Sequence, residues 1–163
     1  MKSRWSLAAM RVPYLPSSRY DLELDLVRVQ GEDGIGIVLP IEGDAAVAIV
    51  FGGYPGLGSL DGLNYVDDQN LSENGTGTKS CLRNNASIRL SIRVRPNRIN
   101  YRYQCHMEMI DTVYDIEDRT LRVDDRIDVG EQKSLALYQV RGQSRFSEIR
   151  LRDYGQGRFI SAW

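Results

Sequence analysis

His106 is the only histidine in the chain, and it closes a run in which polar side chains recur at every second position: Asn100, Arg102, Gln104 and His106. In a strand such residues share one face. Histidine exchanges a proton near neutrality, so His106 reads either as a general base or as a hydrogen-bond partner for a sugar hydroxyl; the plain alternative is a solvated surface histidine. Glu108 and Asp111 follow, completing the acid/base candidates of the segment. Their spacing puts them on opposite faces of a regular strand, whereas retaining glycoside hydrolysis needs two carboxyl groups about 5 Å apart. No serine or cysteine is tied to His106 by spacing, so a paired nucleophile and base are unsupported. One histidine and two separated cysteines make a poor zinc set.

The element that positions these residues is a hairpin, Ala86 to His106. Ala86, Ile88, Leu90, Ile92 and Val94 alternate with Ser87, Arg89, Ser91, Arg93 and Arg95, the period of a strand with one wet face. Pro96-Asn97-Arg98 supplies the turn, and Ile99, Tyr101, Tyr103 and Cys105 continue the apolar face. Asn100, Arg102 and Gln104 then form a polar band with Arg89 and Arg93. Sugar sites combine such planar donors and acceptors with an aromatic platform, for which Trp5, Tyr54, Tyr65 and Tyr114 are candidates. The competing reading is a charge ladder, with Asp21, Glu23 and Asp25 across from the arginines and neutralising them.

Composition narrows the classes. A chain of 163 residues with 42% hydrophobic content fits one domain over residues 1–163, large enough to bury a core without metal or disulfide staples. The net charge is -1, so no global field draws it to nucleic acid or to an anionic membrane. All basic residues except Lys2, Lys79 and Lys133 are arginine, the residue that forks onto carboxylates and stacks on flat faces. Cys81 and Cys105, both expected on strands, pair if those strands are neighbours and otherwise stay as buried thiols. No stretch approaches membrane-spanning length. A secreted or periplasmic location is expected only if a leader once preceded this sequence, and a longer multidomain parent is left open.

In chain order, Trp5 to Val12 is expected as an edge strand ended by Pro13 and Pro16. Tyr20 to Gln30 alternates cleanly, Ile35 to Leu39 ends at Pro40, and Ala45 to Phe51 is apolar on both faces and so should be covered on both. Gly52 to Gly77 is a long loop holding a strand-like piece, Leu60 to Val66. Three Asn-x-Ser/Thr triplets, at Asn70, Asn74 and Asn85, sit in or beside it and are discounted as glycosylation sites. Asp67-Asp68-Gln69-Asn70 offers oxygen ligands for calcium without a regular loop motif, so no metal or other cofactor is expected. Further strands are expected at Met107 to Ile116, Thr120 to Val123, Ser134 to Val140 and Phe146 to Tyr154, with Gly155-Gln156-Gly157 as a flexible link. About ten short strands without crossover helices indicate an all-β, two-sheet antiparallel sandwich.

Several stretches carry a family resemblance. Tyr20-Asp21-Leu22-Glu23-Leu24 followed by Gly34-Ile35-Gly36-Ile37-Val38-Leu39-Pro40, and then Gly62-Leu63-Asn64, resembles the opening of concanavalin A-like jelly-roll domains. Ala86 to Arg95 looks like a long inner strand of that superfamily, and Ser144 to Arg152 is similar to its closing strand. Laminin-G-like domains of planctomycete bacteria and the 3-keto-disaccharide hydrolase family are the nearest in pattern. The resemblance implies a jelly roll whose concave sheet binds carbohydrate, with ligand-binding residues Arg93, Asn100, Arg102, Gln104 and His106 on the hairpin and Asn64 and Tyr54 in the long loop. It also allows a 3-keto-glycoside hydrolase using His106, Asp111 or Glu108, or a protein-interaction module without catalysis. Strand patterns specify fold better than activity.

Overall fold

Alternating apolar and polar residues build twelve strands in the computed structural model, which describes residues 7–130 and 133–162. Trp5, the first of the aromatic platform candidates, and Trp163 lie outside the described residues. The strands are β1 (Leu7–Arg11), β2 (Tyr20–Gly31), β3 (Ile35–Pro40), β4 (Ala46–Gly53), β5 (Leu60–Asn64), β6 (Thr78–Lys79), β7 (Ser87–Arg95), β8 (Arg98–Cys105), β9 (Glu108–Asp115), β10 (Ala136–Val140), β11 (Gly142–Asp153) and β12 (Arg158–Ala162). They form two six-stranded sheets, ordered β1-β10-β3-β4-β5-β6 and β12-β11-β2-β7-β8-β9. Every neighbouring pair is antiparallel. The fold is a two-sheet β-sandwich of the jelly-roll kind.

The parity expected for the hairpin holds. Ile88, Leu90, Ile92 and Val94 are buried with Ile99, Tyr101 and Tyr103, facing Ile37, Ile49 and Phe51 of the other sheet. Withdrawing each such side chain from water contributes about 1.5–3 kcal/mol, against roughly 0–1 kcal/mol for an exposed ion pair. Apolar parity therefore sets the register, and the charged side chains take the outer face that is left. Four inner tyrosines of the second sheet reach polar atoms across the interior. Tyr20 donates to the Pro40 carbonyl at 3.1 Å, Tyr114 to the Thr76 carbonyl at 3.0 Å and Tyr103 to Asp61, while the Tyr101 and Thr78 hydroxyls meet at 3.5 Å. All but Tyr20 lie on the flank where β8 and β9 face β5 and β6. On the opposite flank, between β1, β10 and β11, a cleft of about 610 Å³ includes Met10, Leu137 and Phe146 in its lining.

β4 is covered on both faces, as its composition requires. Ala46, Ala48 and Val50 point outward and are packed with Val38, Ala136 and Tyr138 under Leu71 and Ile127 from two long connections. The Asn-x-Ser/Thr triplets in this cover have a local structural use. Asn70 Oδ1 accepts from the Ser72 backbone at 2.9 Å and its hydroxyl at 2.6 Å. Asn74 Oδ1 accepts likewise from Thr76 at 2.9 and 2.7 Å, with its amide donating to the Leu63 carbonyl at 2.8 Å. These are side-chain turns that fold the loop back on itself.

Several expectations need correction. Thr120 to Val123 is not a strand: Leu121 makes only an isolated bridge to Val66, because Arg119 and Arg122 are held by Asp67 and Asp68 at 2.6 and 2.8 Å. Gly155-Gln156-Gly157 is a tight turn leading into β12. Cys81 lies just past β6 in a connection and not on a strand. It is bonded to Cys105 across the two sheets, a sequence separation of 24. Closing a loop of that length removes unfolded-chain entropy worth about 3–4 kcal/mol. Reduction, or a paired Cys81→Ser and Cys105→Ser change, should lower urea stability by about that amount; an unchanged midpoint would show that the bridge adds nothing.

Candidate functional site

Sheet regularity breaks just after β4. Tyr54 sits at φ 55°, ψ 59° and caps a single turn, Pro55–Leu57. A left-handed tyrosine is uncommon and is held only where its surroundings require it. Here the ring is half buried and its hydroxyl donates to Asn64 Oδ1 at 3.2 Å, an oxygen that also accepts from the Leu71 backbone at 3.0 Å. Burial, followed by the charges of Tyr65, Asp124 and Glu73, pushes the Tyr54 phenol up to about 12, so it is a neutral donor at any physiological pH.

Tyr54 and Asn64 are two walls of a pocket of about 520 Å³ on the outer face of β3, β4 and β10, closed by residues 124–127. Its third wall is the buried Tyr138. The strand register puts Tyr138 directly opposite Gly36, where a Cβ would lie 1.9 Å from the tyrosine ring. Glycine at 36 is what lets that ring lie across the neighbouring strand. The fourth side is Asp124 and Arg126. Asp124 is buried and accepts from the Arg126 backbone at 3.0 Å and from its Nε at 2.8 Å. Those hydrogen bonds hold its carboxyl below the ordinary range against the opposing effect of burial. Asp33 and Arg141 complete the charged lining, so acids and bases balance. Two aromatic rings, an amide and a fixed ion pair around an open volume can hold a small polar molecule with apolar ring faces.

The sequence-predicted site residues fall into two groups on opposite outer faces. Tyr54 and Asn64 line the pocket. Arg93, Asn100, Arg102 and Gln104 lie on the outer face of β7 and β8, where much of the polar band is paired. Arg89 forks onto Asp25 at 2.7 and 3.0 Å, Arg95 bonds Asp21 at 2.8 Å, and Arg102 and Asn100 both bond Asp111. The bonds from Asn100 and Arg102 hold the Asp111 carboxyl below its ordinary value. His106 is exposed in the turn beyond Cys105, at φ 55°, and its carbonyl accepts from the Gln104 amide at 3.2 Å. It is therefore not on the strand face that the alternation expected, because pairing ends one residue earlier. Glu108 pairs with Cys105 and Asp111 with Arg102, so the two carboxylates do point to opposite faces. Of the other platform candidates, Tyr114 is buried in the core, and Tyr65 lies under the Arg122 guanidinium at 3.9 Å. Among the described residues no three His, Cys, Asp or Glu side chains gather as a metal site.

Tyr138, Asp124 and Arg126 were missed by sequence reasoning. The available signal was Gly36 inside an apolar strand, since such a glycine marks a close approach of another group.

The fold defines this chain as a two-sheet antiparallel β-sandwich of the jelly-roll kind. No protein-family model matches it, and no curated protein does. Solved structures do. The carbohydrate-binding module CBM66 from Bacillus subtilis aligns over 89% of this chain and 81% of its own, with a TM-score of 0.54 and 10% identity. Ancestral congerin Con-anc aligns over 88% and 98%, at 0.52 and 13%. Congerin II liganded with lactose and MES aligns over 90% and 99%, at 0.50 and 13%. At these identities the likeness is one of fold, in keeping with the concanavalin A-like resemblance.

Proposed function

We propose that this chain is a carbohydrate-binding domain and that the sugar occupies the pocket bounded by Tyr54, Asn64, Asp124, Arg126 and Tyr138. One observation carries the reading: the pocket joins two aromatic side chains to convergent hydrogen-bonding groups in a volume of about 520 Å³, large enough for one or two sugar rings. Pyranose rings offer an apolar face to an aromatic and a rim of hydroxyls to planar donors and acceptors. The Asp124 and Arg126 pair suits that rim, because its two partners present an acceptor and donors already fixed in place and lose little freedom on binding. The solved structures of similar fold include a carbohydrate-binding module and a lactose-liganded congerin, which supports the class. On strand patterns alone we group the chain with the laminin-G-like domains of planctomycete bacteria. A disulfide between the sheets suits an oxidising compartment.

A glycan array followed by calorimetry on the best neutral oligosaccharide tests this. Tyr54→Ala and Arg126→Gln should each weaken binding about tenfold or more, equivalent to about 1.4 kcal/mol, measured well below each variant's own unfolding midpoint. Full affinity in both variants would remove the pocket from the reading, and an empty array would remove carbohydrate.

A further inference from the structure

The outer face of β7, β8 and β2 follows a rule: its arginines lie against carboxylates, with a two-oxygen fork at Arg89. Arg89 takes both oxygens of Asp25, Arg95 takes Asp21, and Arg102 takes Asp111 through Nε at 3.0 Å and through Nη2. At the turn end of the hairpin the rule is left incomplete. Arg93, Arg95 and Arg98 bound a depression of about 260 Å³ with Asn100, Asp111 and Val113. Asp111 is already taken by Arg102 and Asn100. Arg95 is taken by Asp21, bonds the Tyr20 carbonyl at 3.0 Å and stacks 5.2 Å from the Tyr154 ring centre. Arg93 and Arg98 are exposed, and among the described residues neither has a carboxylate within 4.0 Å. Asp115 stands opposite Arg98 in the register but makes no ion pair with it. Arg95 and Arg98 also face each other directly across the hairpin, a like-charge pairing that costs stability unless an anion lies between.

We propose that this depression binds the carboxylate of a uronic-acid polysaccharide, with Arg93 and Arg98 as the forked donors. A planar carboxylate would complete the pattern that Asp25 completes for Arg89, and guanidinium matches that geometry with two parallel bonds. The exposed Val113 beside them offers an apolar surface to a sugar ring. The site lies on the sheet opposite the Tyr54 pocket, so it stands or falls independently of what that pocket holds.

Affinity electrophoresis of the full chain through polygalacturonate at low salt is the test, with neutral dextran, dextran sulfate and duplex DNA run in parallel. Retardation by polygalacturonate and not by dextran, weakening as sodium chloride is raised, is expected. An Arg93→Gln/Arg98→Gln double variant should bind about tenfold or more weakly with a melting temperature no lower than the parent's. No retardation by polygalacturonate, or equal retardation of the double variant, overturns the site. Equal or tighter binding of dextran sulfate or DNA overturns the assignment to a carboxylate sugar.

Discussion

Replacing Asp153 by alanine is expected to lower the stability of the fold by about 3–5 kcal/mol, measured as the loss in urea unfolding free energy. The carboxylate is buried at the end of β11 and gathers donors from two segments of chain. Tyr14 Oη donates at 2.9 Å and the Ser17 backbone at 2.8 Å, joined by the Ser17 hydroxyl; Gly155 N and Gln156 N donate at 3.0 and 3.1 Å. Alanine orphans all of them at once. The proline-bounded connection from β1 to β2 and the turn from β11 to β12 would both lose their tie. A loss under about 1 kcal/mol would mean that water replaces the carboxylate without penalty.

The same residue sets a pH dependence. Burial pushes the Asp153 carboxyl up, but the bonds from Ser17, Tyr14 and Gln156 outweigh it and hold the carboxyl below its ordinary value. The Arg89 hydrogen bond does the same for Asp25, and the Arg126 hydrogen bond for Asp124. A carboxyl lowered in the folded state binds its proton first in the unfolded chain. These groups therefore contribute stability that is complete above the unfolded carboxylate range and lost as pH falls through the folded values.

Asp61→Ala is the second large effect, expected at about 3 kcal/mol. Asp61 is 1% exposed, accepts from the Gly52 backbone at 2.8 Å through Oδ1, and takes the Tyr103 hydroxyl through Oδ2. It links β5 to β8 beside the Phe51, Tyr101 and Tyr103 rings, which meet edge-on at 5.4 and 5.9 Å. Alanine leaves a cavity and two buried donors without an acceptor. Asp61→Asn should cost far less, because its carbonyl keeps Gly52 and the Tyr103 hydroxyl can turn from donor to acceptor. Burial raises the Asp61 carboxyl, against bonds from Ser80, Tyr103 and Gly52 and the Arg28 charge. Its sign is opposite to that of Asp153: stability is greatest where Asp61 is protonated and declines as pH rises through the folded value. Asp61→Asn should remove that decline. Equal destabilisation by alanine and asparagine would contradict this account.

The sandwich was legible wherever one face of a strand is wet. β2, β7 and β8 alternate so regularly that their buried and exposed sides follow from residue order, and the acid-to-arginine ladder across them follows from composition. Legibility failed where the register shifts. Between Ser147 and Arg150 the pairing with β2 slips, and Glu148 adopts φ 52°, an irregularity that no alternation pattern encodes. The pocket failed to read for a different reason. Tyr54 precedes Asp124 and Tyr138 by 70 and 84 residues in the chain, each is locally unremarked, and only the sheet order brings them together. Tyr54 and Asn64 drew notice through the loop and the resemblance, but nothing in sequence separated them from the hairpin group that lies on the other side of the molecule.

The uneven stitching of the interior bears on how the molecule breathes. Tyr101, Tyr103 and Tyr114, with the Cys81 to Cys105 bond, bind one long side of the sandwich like the spine of a book, while the side along β1 and β11 has the open cleft. Hydrogen exchange is then expected to be faster beside Leu137 and Phe146, at the fore-edge, than beside Phe51 at the binding.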